Sequence, residues 1–315
     1  MKRAIATLTA TALALGWTTA CEPPPPPVSF MVNSDADAAD TNPGDGVCET
    51  APATGHCTLT AAIEEGNALG RADIVIPDSN LDVAYPLGDS TVTGRLTITG
   101  PPIRPEGPGP GVALRSLRIA SGGTLTLDRI GAWSSRDTDA ALVTVDGTLE
   151  VKRSALFVPV VVSESGSLTL LQAALTSVRP AVSLTVRGTA AALYTTVLGS
   201  NSQPALDVAA TGQVQIGASQ IVPAWEADPC DGSPVTSLGY NVSAGPSCEL
   251  TGPGDVVSET FPQDATVDRV PQGVLGCGTS VTTDPSGRPR PLDGDGDGIA
   301  ACDAGPVETT GAGGI

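Results

Sequence analysis

The residues best suited to chemistry lie near the end of the 315-residue chain. Asp293-Gly-Asp295-Gly-Asp297-Gly298-Ile299 carries a carboxylate at every second position and a glycine at the sixth. A loop of this kind turns several oxygens towards one hard cation, as calcium loops do. The twelfth position is Ala304, so the usual bidentate Glu is missing and Asp303 is the candidate substitute. Asp293, Asp295, Asp297 and Asp303 are therefore the expected calcium set, with weak affinity. A solvated acidic turn is the alternative reading. Asp40, Asn42 and Asp45 make a second oxygen-rich stretch, which the neighbouring Gly and Pro explain equally well as a turn. A third cluster joins Asp128 and Arg129 to Lys152 and Arg153. The two pairs stand at equal distances from Gly123 and Gly147, which would place them on adjacent layers as a cross-layer salt bridge.

Catalytic sets are otherwise hard to assemble from this sequence. His56 is the only histidine, and a lone histidine beside Cys57 more often meets solvent than a substrate. No Ser/His/Asp set, zinc-ligand set or phosphate loop can be read. Polysaccharide-cleaving sites need carboxylates paired across layers or a calcium site beside a base. No acid pair is evident on neighbouring layers, and aromatics, the usual sugar platforms, are only 3% of the chain. The expectation is a non-catalytic scaffold, with a polysaccharide lyase or hydrolase as the alternative.

What must position these residues is a repeat between about 94 and 221. One glycine-led phrase recurs six times, as Gly94-Arg-Leu-Thr-Ile, Gly123-Thr-Leu-Thr-Leu, Gly147-Thr-Leu-Glu-Val, Gly166-Ser-Leu-Thr-Leu, Gly188-Thr-Ala-Ala-Ala and Gly212-Gln-Val-Gln-Ile. The spacing, roughly 19–29 residues, fits the coils of a parallel β-helix. Inward positions should stack as Leu96, Leu125, Leu149, Leu168, Ala190, Val214 and as Ile98, Leu127, Val151, Leu170, Ala192, Ile216. A second strand should precede each glycine, as in Leu117/Ile119, Val143/Val145, Leu184/Val186 and Leu206/Val208, giving an interior free of polar groups. The small Ala190 and Ala192 predict a narrowed coil or one filled by Leu193 or Tyr194. Side loops are expected at Pro101–Gly111 and Ser134–Asp139, where specificity would reside. The fold expected is all-β, a single-stranded right-handed parallel β-helix with a short N-terminal helical cap. A β-sandwich also alternates apolar and polar residues, but would not repeat one phrase in register.

Charge and cysteine usage indicate where such a scaffold works. A net charge of −18 argues against nucleic-acid partners, which need clustered Lys and Arg. Met1-Lys2-Arg3, the apolar run Ala4–Leu15 and the small residues up to Ala20 form an export signal. Cys21 follows at the cleavage point, where bacterial lipoproteins carry a lipidated cysteine, although Thr18 stands where Leu is usual. The other six cysteines fall in close pairs, Cys48/Cys57, Cys230/Cys248 and Cys277/Cys302. An exported chain would bond them, with local pairing as the simplest of 15 connectivities. That leaves Cys21 free for lipid, with Pro23–Pro27 as a stiff spacer from the membrane.

The opening of the folded part, Val32-Asn33-Ser34-Asp35-Ala36-Asp37, leads to Gly44-Asp45-Gly46-Val47-Cys48 and then Cys57-Thr58-Leu59-Thr60-Ala61-Ala62. Thr60 is a candidate N-cap for a helix with Leu59, Ala62, Ile63 and Leu69 on its apolar face and Glu64 and Glu65 near its positive end. This layout resembles the bacterial family named for its Cys-Ser-Leu-Arg-Glu-Ala motif, with the Arg and Glu of that motif absent. Near the other end, Gly239-Tyr240-Asn241, Leu250–Asp255, Asp284–Pro291 and Cys302-Asp303-Ala304-Gly305 resemble the choice-of-anchor Q module found in the same proteins. The resemblance implies a surface-exposed β-helix and no common reaction.

The expected organisation is an export signal over 1–20, a lipidated Cys and Pro-rich tether over 21–31 and a disulfide-bearing cap over 32–72. Coils follow over 73–224, then a C-terminal module over 225–308 that closes the end, and a tail over 309–315. Expected partners are a membrane, through the lipid, and a surface glycan or protein ligand.

Overall fold

The computed structural model describes residues 26–78, 84–102, 111–134, 142–178, 180–224 and 227–310. Cys21, the export signal and most of the loops expected at 101–111 and 134–139 lie outside the described residues. The chain forms a parallel β-helix in which three faces are wound coil after coil.

The first face holds nine parallel strands: Val28–Met31, Arg71–Val75, Arg95–Thr99, Thr124–Asp128, Thr148–Lys152, Ser167–Leu171, Thr189–Leu193, Gln213–Gly217 and Thr236–Gly239. The glycine-led phrases supply six of them. Their register aligns Leu96 with Leu125, Leu149, Leu168, Ala190 and Val214, and Ile98 with Leu127, Val151, Leu170, Ala192 and Ile216. All twelve side chains are buried, so the two expected columns exist. Alternation with period two places these residues inside and leaves Thr97, Thr126, Glu150 and Thr169 outside.

The strands that precede the glycines, including Leu142–Val145, Leu184–Val186 and Leu206–Val208, form another face. Between these two faces runs a third set of short strands that the sequence does not announce: Ala155–Phe157, Ala174–Thr176, Thr196–Leu198 and Gln220–Val222. Each buries one central residue, namely Leu156, Leu175, Val197 and Ile221. A three-residue strand with one inward side chain produces no detectable alternation. The strand Gly111–Ile119 bridges two faces, because Val112–Leu114 pair with Ala132–Ser134 and Ser116–Ile119 pair with Leu142–Val145.

The glycines are required by crowding between coils. A Cβ on Gly166 would lie 2.0 Å from Val145 O, and one on Gly147 would lie 2.3 Å from Ala120 O. Neither glycine has a positive φ. Any side chain there would push two coils apart.

Several expectations change. The helix Leu59–Leu69 is capped by Thr58, whose hydroxyl accepts the Ala61 N–H at 3.0 Å, while Thr60 instead donates to Asp37. Leu59, Ala62 and Ile63 are buried as expected, but Leu69 is exposed. Glu64 and Glu65 reach away from the helix to accept the amides of Asp40, Gly44 and Gly46, which fastens the segment that leads into the Cys48–Cys57 disulfide. Residues Val28–Met31, expected in the tether, pair with Ala72–Val75 as the outermost strand of the first face.

The interior is also not free of polar groups. Ser154, Thr195, Ser219 and Asn241 are buried directly after the first face. Ser154 Oγ accepts the Ile130 N–H at 2.9 Å, Ser219 Oγ accepts from Thr195, and Asn241 Oδ1 accepts from Ser219. These side chains satisfy amides that the turning backbone would otherwise leave unpaired.

At the C-terminal end, Cys230–Gly232, Thr236–Gly239, Val242–Ala244 and Val256–Ser258 continue the three faces. Coils therefore run past residue 224, and the remainder, from about 259 to 310, packs against the side of the rod. Tyr194 is fully buried there with Val270, Cys277, Val281 and Cys302, and Leu193 packs against the same group. Neither fills the coil at Ala190 and Ala192, because both face outward.

Candidate functional site

The side of the rod that receives the C-terminal module is a corner with an unusual backbone. Arg129, Arg153, Gln172, Tyr194, Ala218 and Tyr240 each follow a first-face strand, and their φ values are 59°, 47°, 53°, 51°, 51° and 61°. Left-handed backbone at non-glycine residues costs energy and persists only where the surroundings enforce it. Here the enforcement is the coil itself. The amide at each corner donates to the carbonyl one coil on, as in Arg129 to Lys152, Arg153 to Leu171 and Gln172 to Leu193. The result is a column of outward side chains at one coil spacing, about 4.8 Å.

The module grips four consecutive members of this column. Gln172 Nε2 donates to Thr283 O, and Tyr194 lies under the Arg290 guanidinium with 4.6 Å from its central carbon to the ring centroid. Gly305 N donates to Ala218 O at 2.8 Å, and Tyr240 packs with the module's apolar residues. Behind Tyr194 is a buried ion pair, Arg290 Nε to Glu308 Oε1 at 2.7 Å, with both side chains fully inaccessible. Arg290 also donates to Gly305 O at 2.8 Å, and Glu308 accepts the Asp303 amide at 3.0 Å. Burial pushes the Glu308 carboxyl up to about 7 despite Arg290, and burial pushes the Tyr194 phenol up to about 12. Nothing in the sequence marks Arg290, Glu308 and Tyr194 as partners, because residues far apart in the chain carry no local sign of meeting.

The acidic loop is ordered by its own carboxylates. Asp293 accepts the amides of Gly296 and Gly298, Asp295 accepts that of Asp297, and Asp297 accepts that of Ile299. The carboxylates whose oxygens lie within 4.8 Å of one another are Asp268, Asp293 and Asp295. Asp297 and Asp303 stand outside that group. Asp303 is buried and accepts the amides of Asp268 and Thr309, so its oxygens serve the backbone. Asp268 lies 25 residues before Asp293, outside the motif that the sequence displays. One of its oxygens accepts from Gly294 and Asp295, each at 2.8 Å, while Oδ1 is buried with no hydrogen-bond partner. Burial raises its pKa, with the nearby Asp303 and Asp295 adding to the rise against the pull of those two amides. The donor set suits a hard cation better with Asp268 in it than with Asp303. The Asp40 stretch is a turn: Asp40 accepts the amides of Asn42 and Glu49, and Asn42 donates to Asp45.

The third cluster assembles as a cross-coil pair. Asp128 aligns with Lys152, and Asp128 binds the Arg153 guanidinium through both of its oxygens. Lys152 pairs with Glu150 on its own strand at 2.8 Å. Beside them is a cleft of about 250 Å³, lined by Lys152, Arg153, Gln172, Ser280, Thr282 and Thr283.

One acid pair does sit on neighbouring coils, contrary to the sequence reading. Asp207 and Asp231 are register partners on outward positions, and burial together with the Asp231 charge raises the Asp207 pKa against the pull of Arg187. The pair is hidden in the sequence because Asp231 belongs to a coil beyond the recognisable repeats. All three disulfides join the neighbours expected: Cys48–Cys57, Cys230–Cys248 and Cys277–Cys302. Comparison of the chain with family models, characterised proteins and solved structures finds no match.

Proposed function

We propose that this chain is an exported bacterial envelope lipoprotein, anchored through Cys21, whose β-helix is a non-catalytic scaffold for adhesion to a surface glycan or protein. It would belong among the surface proteins with the Cys-Ser-Leu-Arg-Glu-Ala opening and the choice-of-anchor Q ending. The observation that carries the reading is the construction of the rod. A mostly aliphatic interior, whose buried polar side chains such as Ser154 and Ser219 are bonded to the backbone, leaves chemical variety chiefly on the outer surface, while three disulfides suit an oxidising compartment. Calcium bound by Asp268, Asp293 and Asp295 would brace the acidic loop. Mass spectrometry of the mature N-terminus, with fractionation of cell envelopes, tests the anchor: an unmodified Cys21 in a soluble fraction refutes it.

The stacked Asp207 and Asp231 support a second reading, a polysaccharide-cleaving enzyme. A carboxylate whose proton affinity is raised by burial and by a neighbouring carboxylate, as at Asp207, can serve as a general acid. Turnover of an acidic polysaccharide that is abolished by Asp207→Asn would establish it, and absence of turnover across a panel of such polymers would remove it.

A further inference from the structure

The C-terminal module is bonded largely to itself. Its Cys277–Cys302 disulfide, the bridges of Val270 to Cys302 and of Leu292 to Ala301, and the hydrogen bonds around Asp303 are all internal. A short line of contacts joins it to the corner and the strands beside it: Thr283 O with Gln172, Arg290 over the Tyr194 ring, Ala304 O with Gln220 Nε2, and Gly305 N with Ala218 O. Along that line the rod presents an apolar outer stripe of Leu171, Leu193, Tyr194 and Tyr240, which docking covers.

Four ionisable side chains are buried on the same line. Asp284, Arg290, Asp303 and Glu308 are 1%, 3%, 2% and 0% exposed, so three acids share one buried cation. Arg288 is only partly buried and donates to the Glu308 carbonyl, away from the carboxylates. Two of the acids are fully served as carboxylates. Asp284 accepts the amides of Ser286, Arg288 and Glu308 and the Ser286 hydroxyl, while Asp303 accepts the amides of Asp268 and Thr309. Glu308 differs: Oε1 meets Arg290 and the Asp303 amide, but Oε2 is buried with no hydrogen-bond partner among the described residues. An unserved carboxylate oxygen is costly to bury, so Glu308 is the acid that takes up a proton on docking. Burial pushes its carboxyl up to about 7, with Asp303 and Asp284 adding to the rise and Arg290 opposing it. Tyr194 faces the pair from the rod, and burial pushes its phenol up to about 12, so it stays neutral.

We infer that the module is a proton-controlled clasp: with Glu308 protonated it lies on the corner column, and ionisation of Glu308 loosens it and bares the stripe of Leu171, Leu193, Tyr194 and Tyr240. Linkage sets the sign. The docked value lies above the free value of 4.5, so the contribution to docking is full below 4.5 and is lost as pH rises through about 7. The docking constant should fall roughly 70-fold between pH 5 and pH 8 and little beyond.

The test is amide exchange on the full mature chain, followed by NMR and expressed as protection relative to the intrinsic rate at each pH. The Gly305 amide, held by Ala218 O at 2.8 Å, reports undocking, and the Thr189 amide, held by Gly166 O at 3.0 Å, reports opening of the coils. Gly305 should be less protected than Thr189 at every pH, since the module leaves while the coils stay closed. Its protection should fall roughly 70-fold from pH 5 to pH 8 in the wild type and less than about threefold in Glu308→Gln, which cannot ionise. Equal protection of Gly305 and Thr189, a flat wild-type profile, or the same fall in Glu308→Gln each overturns the inference. Should circular dichroism show that Glu308→Gln does not fold, the wild-type profile and the comparison with Thr189 decide it alone.

Discussion

Removing one half of the Arg290–Glu308 pair should have an effect whose pH dependence reveals which half was removed. Both side chains are fully inaccessible, and breaking a buried pair typically costs about 3–5 kcal/mol because a charge is left behind. The two residues differ in how they can escape that cost. Glu308 is already pushed up to about 7, so without Arg290 it can take up a proton at mild pH. Arg290 has no comparable route, since a guanidinium does not release its proton near neutrality. The sign follows from the direction of the Glu308 shift. A folded pKa above the unfolded value of 4.5 gives stability that is fully present below 4.5 and is lost as pH rises through about 7. Glu308→Leu deletes that contribution, so it should cost more at pH 5 than at pH 8. Arg290→Leu drives the Glu308 pKa higher still, and the loss then continues above pH 7 at about 1.4 kcal/mol per pH unit. That substitution should therefore cost more at pH 8 than at pH 5. Opening by 3–5 kcal/mol corresponds to roughly a hundred- to several-thousand-fold faster amide exchange in segment 284–308. Mass spectrometry reads it, each variant being compared with the wild type at the same pH. Effects of the two substitutions that move the same way with pH would refute this reasoning.

Three further outcomes follow from the same structure. Calcium at ten times its dissociation constant should stabilise the wild type by about 1.4 kcal/mol, and Asp268→Asn should abolish the gain; melting curves unchanged between calcium and chelator would eliminate the site. Gly166→Ala should destabilise by about 1–3 kcal/mol through the Val145 carbonyl, in a urea titration, whereas Gly122→Ala, in open space at φ 85°, should cost only about 1 kcal/mol for its backbone. Ser219→Ala leaves the buried Thr195 amide unpaired and should cost about 1–3 kcal/mol by the same assay.

The fold is legible where one residue type recurs at a fixed place. The columns under Leu96 and Ile98 can be written from the sequence, because every second residue of a five-residue strand must face inward. The three-residue strands such as Ala155–Phe157 are not legible, since one buried residue sets no period. The corner is invisible for another reason. Arg129, Arg153, Gln172, Tyr194, Ala218 and Tyr240 share a backbone conformation and no chemistry, so nothing in their side chains marks them as equivalent. The acidic loop is legible as a motif, but its strongest addition, Asp268, arrives through tertiary packing, and Asp303 is drawn off by the amides of Asp268 and Thr309. The candidate cleft is half legible. Lys152 and Arg153 stand out in the sequence, while the facing hydroxyls come from a distant segment, with 111 residues separating Gln172 from Thr283.

The module's grip on Gln172, Tyr194, Ala218 and Tyr240 makes it a ruler laid along the rod. Its contacts are spaced to match successive coils, so a coil inserted between Gln172 and Tyr240 would displace one contact from the next by about 4.8 Å. Among the described residues the module's grip on the column does not reach the coils before Arg129. The rod can lengthen or shorten on that side by whole turns while the docked end stays unchanged, so variation in length between kindred chains should accumulate towards the N-terminus.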